Sequence, residues 1–115
     1  MRDEEHRIQR GCVRWFHLQY PEYSGLLFAV PNGGARDAVT AAKLKDEGVV
    51  AGVADLILFL PRKGYHALCI EMKTAKGTQR QSQKDWMAKV AAQGYRYEVC
   101  RSIDGFVDLV NGYIG

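Results

Sequence analysis

The sequence predicts an α/β domain, a three-layer sandwich whose four-stranded sheet is covered by helices on two sides, in the order α-β-α-β-β-α-β-α. Three observations predict it. Helical and strand-like periodicities alternate along the chain. The two central strand candidates, "DLILFL" and "HALCIEMK", are apolar on both faces, as strands covered from two sides are. The 115 residues carry 47% apolar and 25% charged side chains, the balance of a globular protein. A chain of this length buries roughly two thirds of the surface its unfolded form exposes. One domain over residues 1–115 is expected, needing no metal or disulfide staple to fold.

From Asp3 to about Gln19, Ile8, Cys12, Trp15 and Phe16 recur at helical spacing, with acidic residues in the first turn and Pro21 beyond the end. "LLFAV", residues 26–30, reads as a short buried strand, and "PNGG" after it as a loop. Residues 36–47 read as a helix stopped by Gly48. "DLILFL" and "HALCIEMK" are joined by "PRKGY", whose Pro and Gly predict an antiparallel hairpin. "SQKDWMAKVAAQG" is a third helix presenting Trp86, Met87 and Val90, with Gly94 as its stop. "YRYEVC" is a fourth strand, and Ser102 can cap a last helix carrying Phe106, Leu109, Val110 and Tyr113.

Several function classes are disfavoured. No apolar run approaches the roughly 18 residues of a membrane-spanning helix. The N-terminus "MRDEEHRIQR" has no apolar core like that of a signal peptide, so the cytoplasm is the expected compartment. Cys12, Cys69 and Cys100 form no C-x-x-C pair and read as buried, reduced thiols. His6, His17 and His66 lack metal-binding spacing. The net charge of +3 permits an anionic partner without demanding one. Lys73–Arg101 is richer in basic residues, with seven Lys and Arg. That bias suits a phosphate backbone, and an ordinary solvated face accounts for it equally well.

The hairpin raises a sharper question. With a loop at 61–65, Leu60 pairs with His66, and counting back sets Asp55 opposite Glu71, their Cβ atoms about 5 Å apart. Alternation then puts Lys73 on the same face. Two carboxylates so close repel, and a hard divalent cation such as Mg²⁺ would compensate them. A solvated strand end whose acids discourage edge pairing is the competing reading, and a one-residue slip of register would separate the pair. Glu5 shares the helix stripe of Ile8, Cys12 and Phe16, and Gln83 that of Trp86, Met87 and Val90, so both project inward. Alone, Glu5 is accounted for by the helix dipole and Gln83 as a boundary residue. Together with the hairpin charges they point to a site.

Asp55 followed by "EMK" at 71–73 resembles the D-(x)n-E-x-K signature of the PD-(D/E)XK nuclease superfamily. The ordered set is more specific: Glu5 with Gln9, "PNGG", "KLKDEG" at 43–48, "GVADLILF" at 52–59, "IEMKTAKG" at 70–77, and Gln83 three before Trp86. This set resembles the VRR-NUC (virus-type replication-repair nuclease) domain over nearly the whole chain, in particular its stand-alone members. The resemblance implies a restriction-endonuclease-like fold with a mixed sheet, and Mg²⁺- or Mn²⁺-dependent hydrolysis of DNA phosphodiesters. It implies metal ligation by Asp55, Glu71, the Met72 backbone carbonyl and, through water if not directly, Glu5, with Lys73 and Gln83 completing the catalytic set. Asn32, Arg36, Lys76, Arg80 and Lys84 are the candidate DNA contacts, although a plain turn and a helix-face charge are the simpler account of "PNGG" and Arg36. Ala54 stands where the superfamily often has proline, and Arg80 where Ser or Thr is expected before the third helix.

The resemblance further implies a homodimer that cuts branched DNA, of Holliday-junction or flap type, in replication, repair or recombination. The alternative is a branched-DNA-binding module that does not cut. A small phosphate-ligand enzyme is disfavoured because "PNGG" lacks the G-x-x-x-x-G-K-[ST] spacing.

Overall fold

The computed structural model describes residues 2–31 and 37–115. Helix α1 (Arg2–Gln19) is followed by a 3-10 turn (Pro21–Tyr23), strand β1 (Leu27–Ala29), helix α2 (Ala38–Asp46) and strands β2 (Leu56–Leu58) and β3 (Leu68–Met72). Helix α3 (Gln81–Ala92), strand β4 (Arg96–Cys100) and helix α4 (Ile103–Ile114) complete the chain. The sheet order is β1-β2-β3-β4, with the first two pairings antiparallel and β3–β4 parallel. The expected mixed sheet and element order are both present. No helix among the described residues is long and apolar enough to cross a membrane.

Strand β3 has a neighbour on each side and helices over each face, so all five of its residues are buried. One face, carrying Leu56, Leu58, Leu68, Ile70 and Met72, packs against Cys12 and Phe16 of α1 and Phe106, Val110 and Tyr113 of α4. The four-residue step from Cys12 to Phe16 keeps both on one side of α1. The buried Tyr113 hydroxyl reaches across to donate a hydrogen bond to the Leu60 carbonyl at 2.7 Å. The other face holds Cys69, Glu71 and Tyr97, and α3 lies over it with Trp86 edge-on to Tyr97. The three cysteines are buried and unpaired. Burial pushes the Cys12 thiol up to about 12 and those of Cys69 and Cys100 up to about 11, which leaves them unreactive.

The hairpin keeps the counted strand register but not the expected turn. Leu56 pairs with Ile70 and Leu58 with Leu68, the register that sets Asp55 opposite Glu71. The tip, however, is a tight turn in which Arg62 bridges Tyr65, with Lys63 and Gly64 both at positive φ. Between tip and strands the β2 side carries one extra residue, in the segment where Pro61 has no N–H to give a ladder. The expected Leu60–His66 pair is therefore not made, and the His66 N–H goes to the Gly94 carbonyl instead. Helix α2 starts with Asp37 accepting the Thr40 N–H at 2.7 Å. The expected helix start at Arg36, and Asn32 to Gly34 of the "PNGG" loop, lie outside the described residues.

The segment entering β2 presses on the start of α3. Gly52 has a φ of 86°, and a Cβ there would overlap the Ser82 carbonyl and sit 2.9 Å from the Gln83 nitrogen. Only a residue without a side chain allows the segment before β2 to approach the first turn of α3 so closely. Gly25 has nearly the same φ, 89°, but faces open space. Gly25→Ala should cost about 1–2 kcal/mol for the left-handed backbone alone. Gly52→Ala should cost roughly 2–4 kcal/mol because overpacking against backbone adds to it. Urea unfolding of the two variants measures the difference, and equal losses would show that the contact is not constraining.

Candidate functional site

Glu71 is the fourth residue of β3, and strand alternation turns its side chain toward α3, where it is 1% exposed. An unpartnered carboxylate there would cost several kcal/mol, so its surroundings matter. Oε1 accepts hydrogen bonds from the Tyr97 hydroxyl and, at 3.0 Å, from Gln79 Nε2. Oε2 is buried with no hydrogen-bond partner among the described residues. The Lys73 ammonium lies 3.4 Å from Oε2, close enough to pair its charge but not aligned to donate a hydrogen bond.

Asp55 sits at the entry to β2, across the hairpin end from Glu71. Its Oδ2 accepts the Met72 N–H at 2.7 Å, which fixes the carboxylate beside the residue whose carbonyl follows Glu71. Burial raises the Asp55 carboxyl above the usual range. The Met72 N–H opposes that, the charges of Glu71 and Glu5 push further up, and Lys73 pulls down. Glu5, on the inward side of α1, thus acts on Asp55 through space. Among the described residues no three His, Cys, Asp or Glu side chains gather closely enough to hold an ion.

Lys73 follows directly on β3, and its backbone N–H bonds the Cys100 carbonyl at 2.9 Å. The loop beyond it is tied down by Arg101, whose Nη1 donates to the carbonyls of Thr74 and Gly77 at 2.8 and 2.6 Å. These bonds fix the backbone on both sides of Lys73, whose side chain, 12% exposed, lies against Glu71.

Gln83 is buried, 6% exposed, and its Oε1 accepts the Arg80 N–H at 2.8 Å, which caps the first turn of α3. Arg80 has no side-chain acceptor, so only the Gln83 half of a capping box is made, and the bond that a Ser or Thr there would accept from the first turn is missing. Lys76, Arg80 and Lys84 are exposed, with Arg80 and Lys84 one helical turn apart at the N-terminal end of α3. The candidate contacts Asn32 and Arg36 lie outside the described residues.

Two residues of this cluster were not anticipated from the sequence. Tyr97 and Gln79 both donate to Glu71, and burial together with the bond to Glu71 drives the Tyr97 phenol well above its ordinary range, so it stays a donor. The alternation of Tyr95, Tyr97 and Val99 marks a face, but no turn connects β4 to β3 from which to count the parallel register.

The donor set suits a hard divalent cation. It offers two carboxylates and a backbone carbonyl, all oxygen, and one of the carboxylate oxygens is buried without a hydrogen bond. Comparison with known proteins points the same way. The VRR-NUC domain family matches residues 3–104. A solved structure described as a VRR-NUC domain protein superposes with a TM-score of 0.82 at 29% identity, over 96% of this chain and 87% of that one. A second, described as a VRR-NUC domain, superposes at 0.60 with 18% identity, over 96% of this chain and 97% of that one, a likeness of fold alone. Among curated proteins nothing matches. The match over nearly the whole chain, on a fold of nuclease type, shows that this protein belongs to the VRR-NUC domain family, whose members are generally nucleases.

Proposed function

We propose that the protein is a Mg²⁺- or Mn²⁺-dependent DNA endonuclease acting on branched DNA. The observation that carries this reading is the Glu71 carboxylate, buried in the sheet with one oxygen doubly hydrogen-bonded and the other left without a hydrogen bond beside Asp55 and Lys73. A group that serves only to hold the fold together gains nothing from such an orphaned oxygen. Asp55, Glu71 and the Met72 carbonyl would hold the ion, and Glu5 would reach it through water. When bound, the cation supplies Lewis acidity, polarising the phosphate and lowering the pKa of a water molecule toward neutrality.

The chain's own groups do the rest. In the hydrolysis a water oxygen bonds to phosphorus, one P–O ester bond breaks, and the leaving oxygen takes up a proton. The Lys73 ammonium, held over the site, offsets the negative charge that builds on the phosphate oxygens or orients the attacking water. Gln83 keeps the first turn of α3 seated beside the carboxylates. Lys76, Arg80 and Lys84 form the exposed basic rim that would meet the phosphate backbone, with Asn32 and Arg36 as further candidate contacts. A homodimer would offer two such sites to the two strands of a branched substrate.

Incubation with linear duplex, flap and four-way-junction DNA tests the reading. Cutting of a branched substrate is expected with Mg²⁺ or Mn²⁺ and none with chelator. Binding of branched DNA with no cleavage in either ion would favour a non-catalytic binding module, and cleavage that persists in chelator would contradict the metal requirement. Asp55→Asn should lower cleavage by at least roughly a hundredfold, since even outer-sphere changes reach that size.

The same substitution should separate activity from stability. Because the Asp55 carboxyl is raised in the fold, the stability it contributes is complete below its unfolded value of about 4 and is lost as pH rises through the higher folded value. At pH 7 without metal, its ionised form therefore weakens the fold. Asp55→Asn should raise the metal-free melting temperature at pH 7, with the gain shrinking toward pH 4. Calorimetry at the two pH values checks this, and a lowered melting temperature at pH 7 would contradict it.

A further inference from the structure

We propose that Tyr97 and Gln79 are positioning residues that hold Glu71 as a one-oxygen ligand and thereby set the site's preference for a small octahedral cation over a larger one. The inference rests on the metal reading above and concerns which ion the site selects. Each carboxylate oxygen has two in-plane lone pairs. On Glu71 Oε1, the Tyr97 hydroxyl and Gln79 Nε2 supply two donors, enough to occupy both. Oε2 has no hydrogen-bond donor and is the oxygen that faces Lys73. The side chain cannot readily turn both oxygens to one ion without surrendering two buried hydrogen bonds.

Asp55 is restrained more weakly, its Oδ2 accepting one bond, from the Met72 N–H, which favours binding through the other oxygen. Two carboxylates that each give one oxygen, plus a backbone carbonyl, leave room for several waters, the arrangement Mg²⁺ requires in its octahedral shell at about 2.1 Å. Calcium prefers six to eight oxygens at about 2.3–2.6 Å and gains from a carboxylate that binds through both. The two donors on Oε1 come from separate elements, β4 and the loop before α3, and each fixes the carboxylate's rotation independently. Trp86 packs edge-on to Tyr97 at 6.0 Å and Gln79 also contacts the Met87 sulfur at 3.7 Å, so both donors are themselves held by α3.

The test is metal affinity without DNA, read from the melting temperature of the full chain titrated with MgCl₂ or CaCl₂. In the unaltered protein Mg²⁺ should bind more tightly than Ca²⁺. In Tyr97→Phe, which keeps the ring against Trp86 and removes only the hydroxyl, the Ca²⁺-to-Mg²⁺ affinity ratio should rise roughly tenfold, the size typical of outer-sphere changes. Gln79→Leu should shift it in the same direction, and it keeps the test open if the tyrosine variant fails to fold. A purely structural role would weaken both ions alike and leave the ratio unmoved, which would overturn the inference alone. No stabilisation of the unaltered protein by either ion would overturn the metal reading and this inference with it.

Discussion

The placement of one carboxylate inside a β-sheet governs this molecule. Glu71 is the one buried Asp or Glu among the described residues, and it occupies the central strand. Three groups meet its charge and a fourth opposes it. Tyr97 arrives on β4, Gln79 on the loop before α3, Lys73 on the chain just past β3, and Asp55 faces it across the hairpin. The parallel β3–β4 pairing, the crossover through α3 and the hairpin register each deliver one of these groups. Losing Tyr97, Gln79 or Lys73 would leave a buried charge short of partners, at a cost of several kcal/mol, whereas Asp55 brings a second negative charge that only a cation can offset.

The sheet divides its labour by face. Toward α1 and α4 it is wholly apolar at its centre, and Cys12, Phe16, Phe106, Val110 and Tyr113 close over Leu56, Leu58, Leu68, Ile70 and Met72. That side supplies stability. Toward α3 the apolar residues share the face with charge, and Asp55 and Glu71 stand close enough to raise the Asp55 carboxyl. Over β1 and β2 the second layer thins. Phe28 and Phe59 meet edge to face but remain 41% and 61% exposed, and α2 buries none of its residues.

Much of this was legible in the sequence, for identifiable reasons. The register counted back from a loop at 61–65 sets Asp55 opposite Glu71, and that register is the one found, because the extra residue on the β2 side offsets the tighter tip. The turn was misjudged because an extra residue near Pro61 shifts the tip by one, a local matter that the strands absorb. Helical spacing likewise showed that Gln83 faces inward. It did not show that the side chain accepts the Arg80 N–H, because periodicity gives the direction of a side chain and not its hydrogen-bond partner. Tyr97 and Gln79 were invisible for a different reason. A parallel pair has no connecting turn that sets its register, and a loop glutamine carries no periodicity to place it.

What the site does therefore turns on the oxygen of Glu71 that the fold leaves without a hydrogen bond. The most direct measurement is anomalous diffraction from crystals grown with Mn²⁺ in place of Mg²⁺. The account predicts a single strong anomalous peak in coordinating contact with Glu71 Oε2, an Asp55 oxygen and the Met72 carbonyl, with the Tyr97 and Gln79 bonds to Oε1 intact. A Glu71 Oε2 found bonded to the Lys73 ammonium or to an ordered water, with no manganese at the hairpin end, would contradict it.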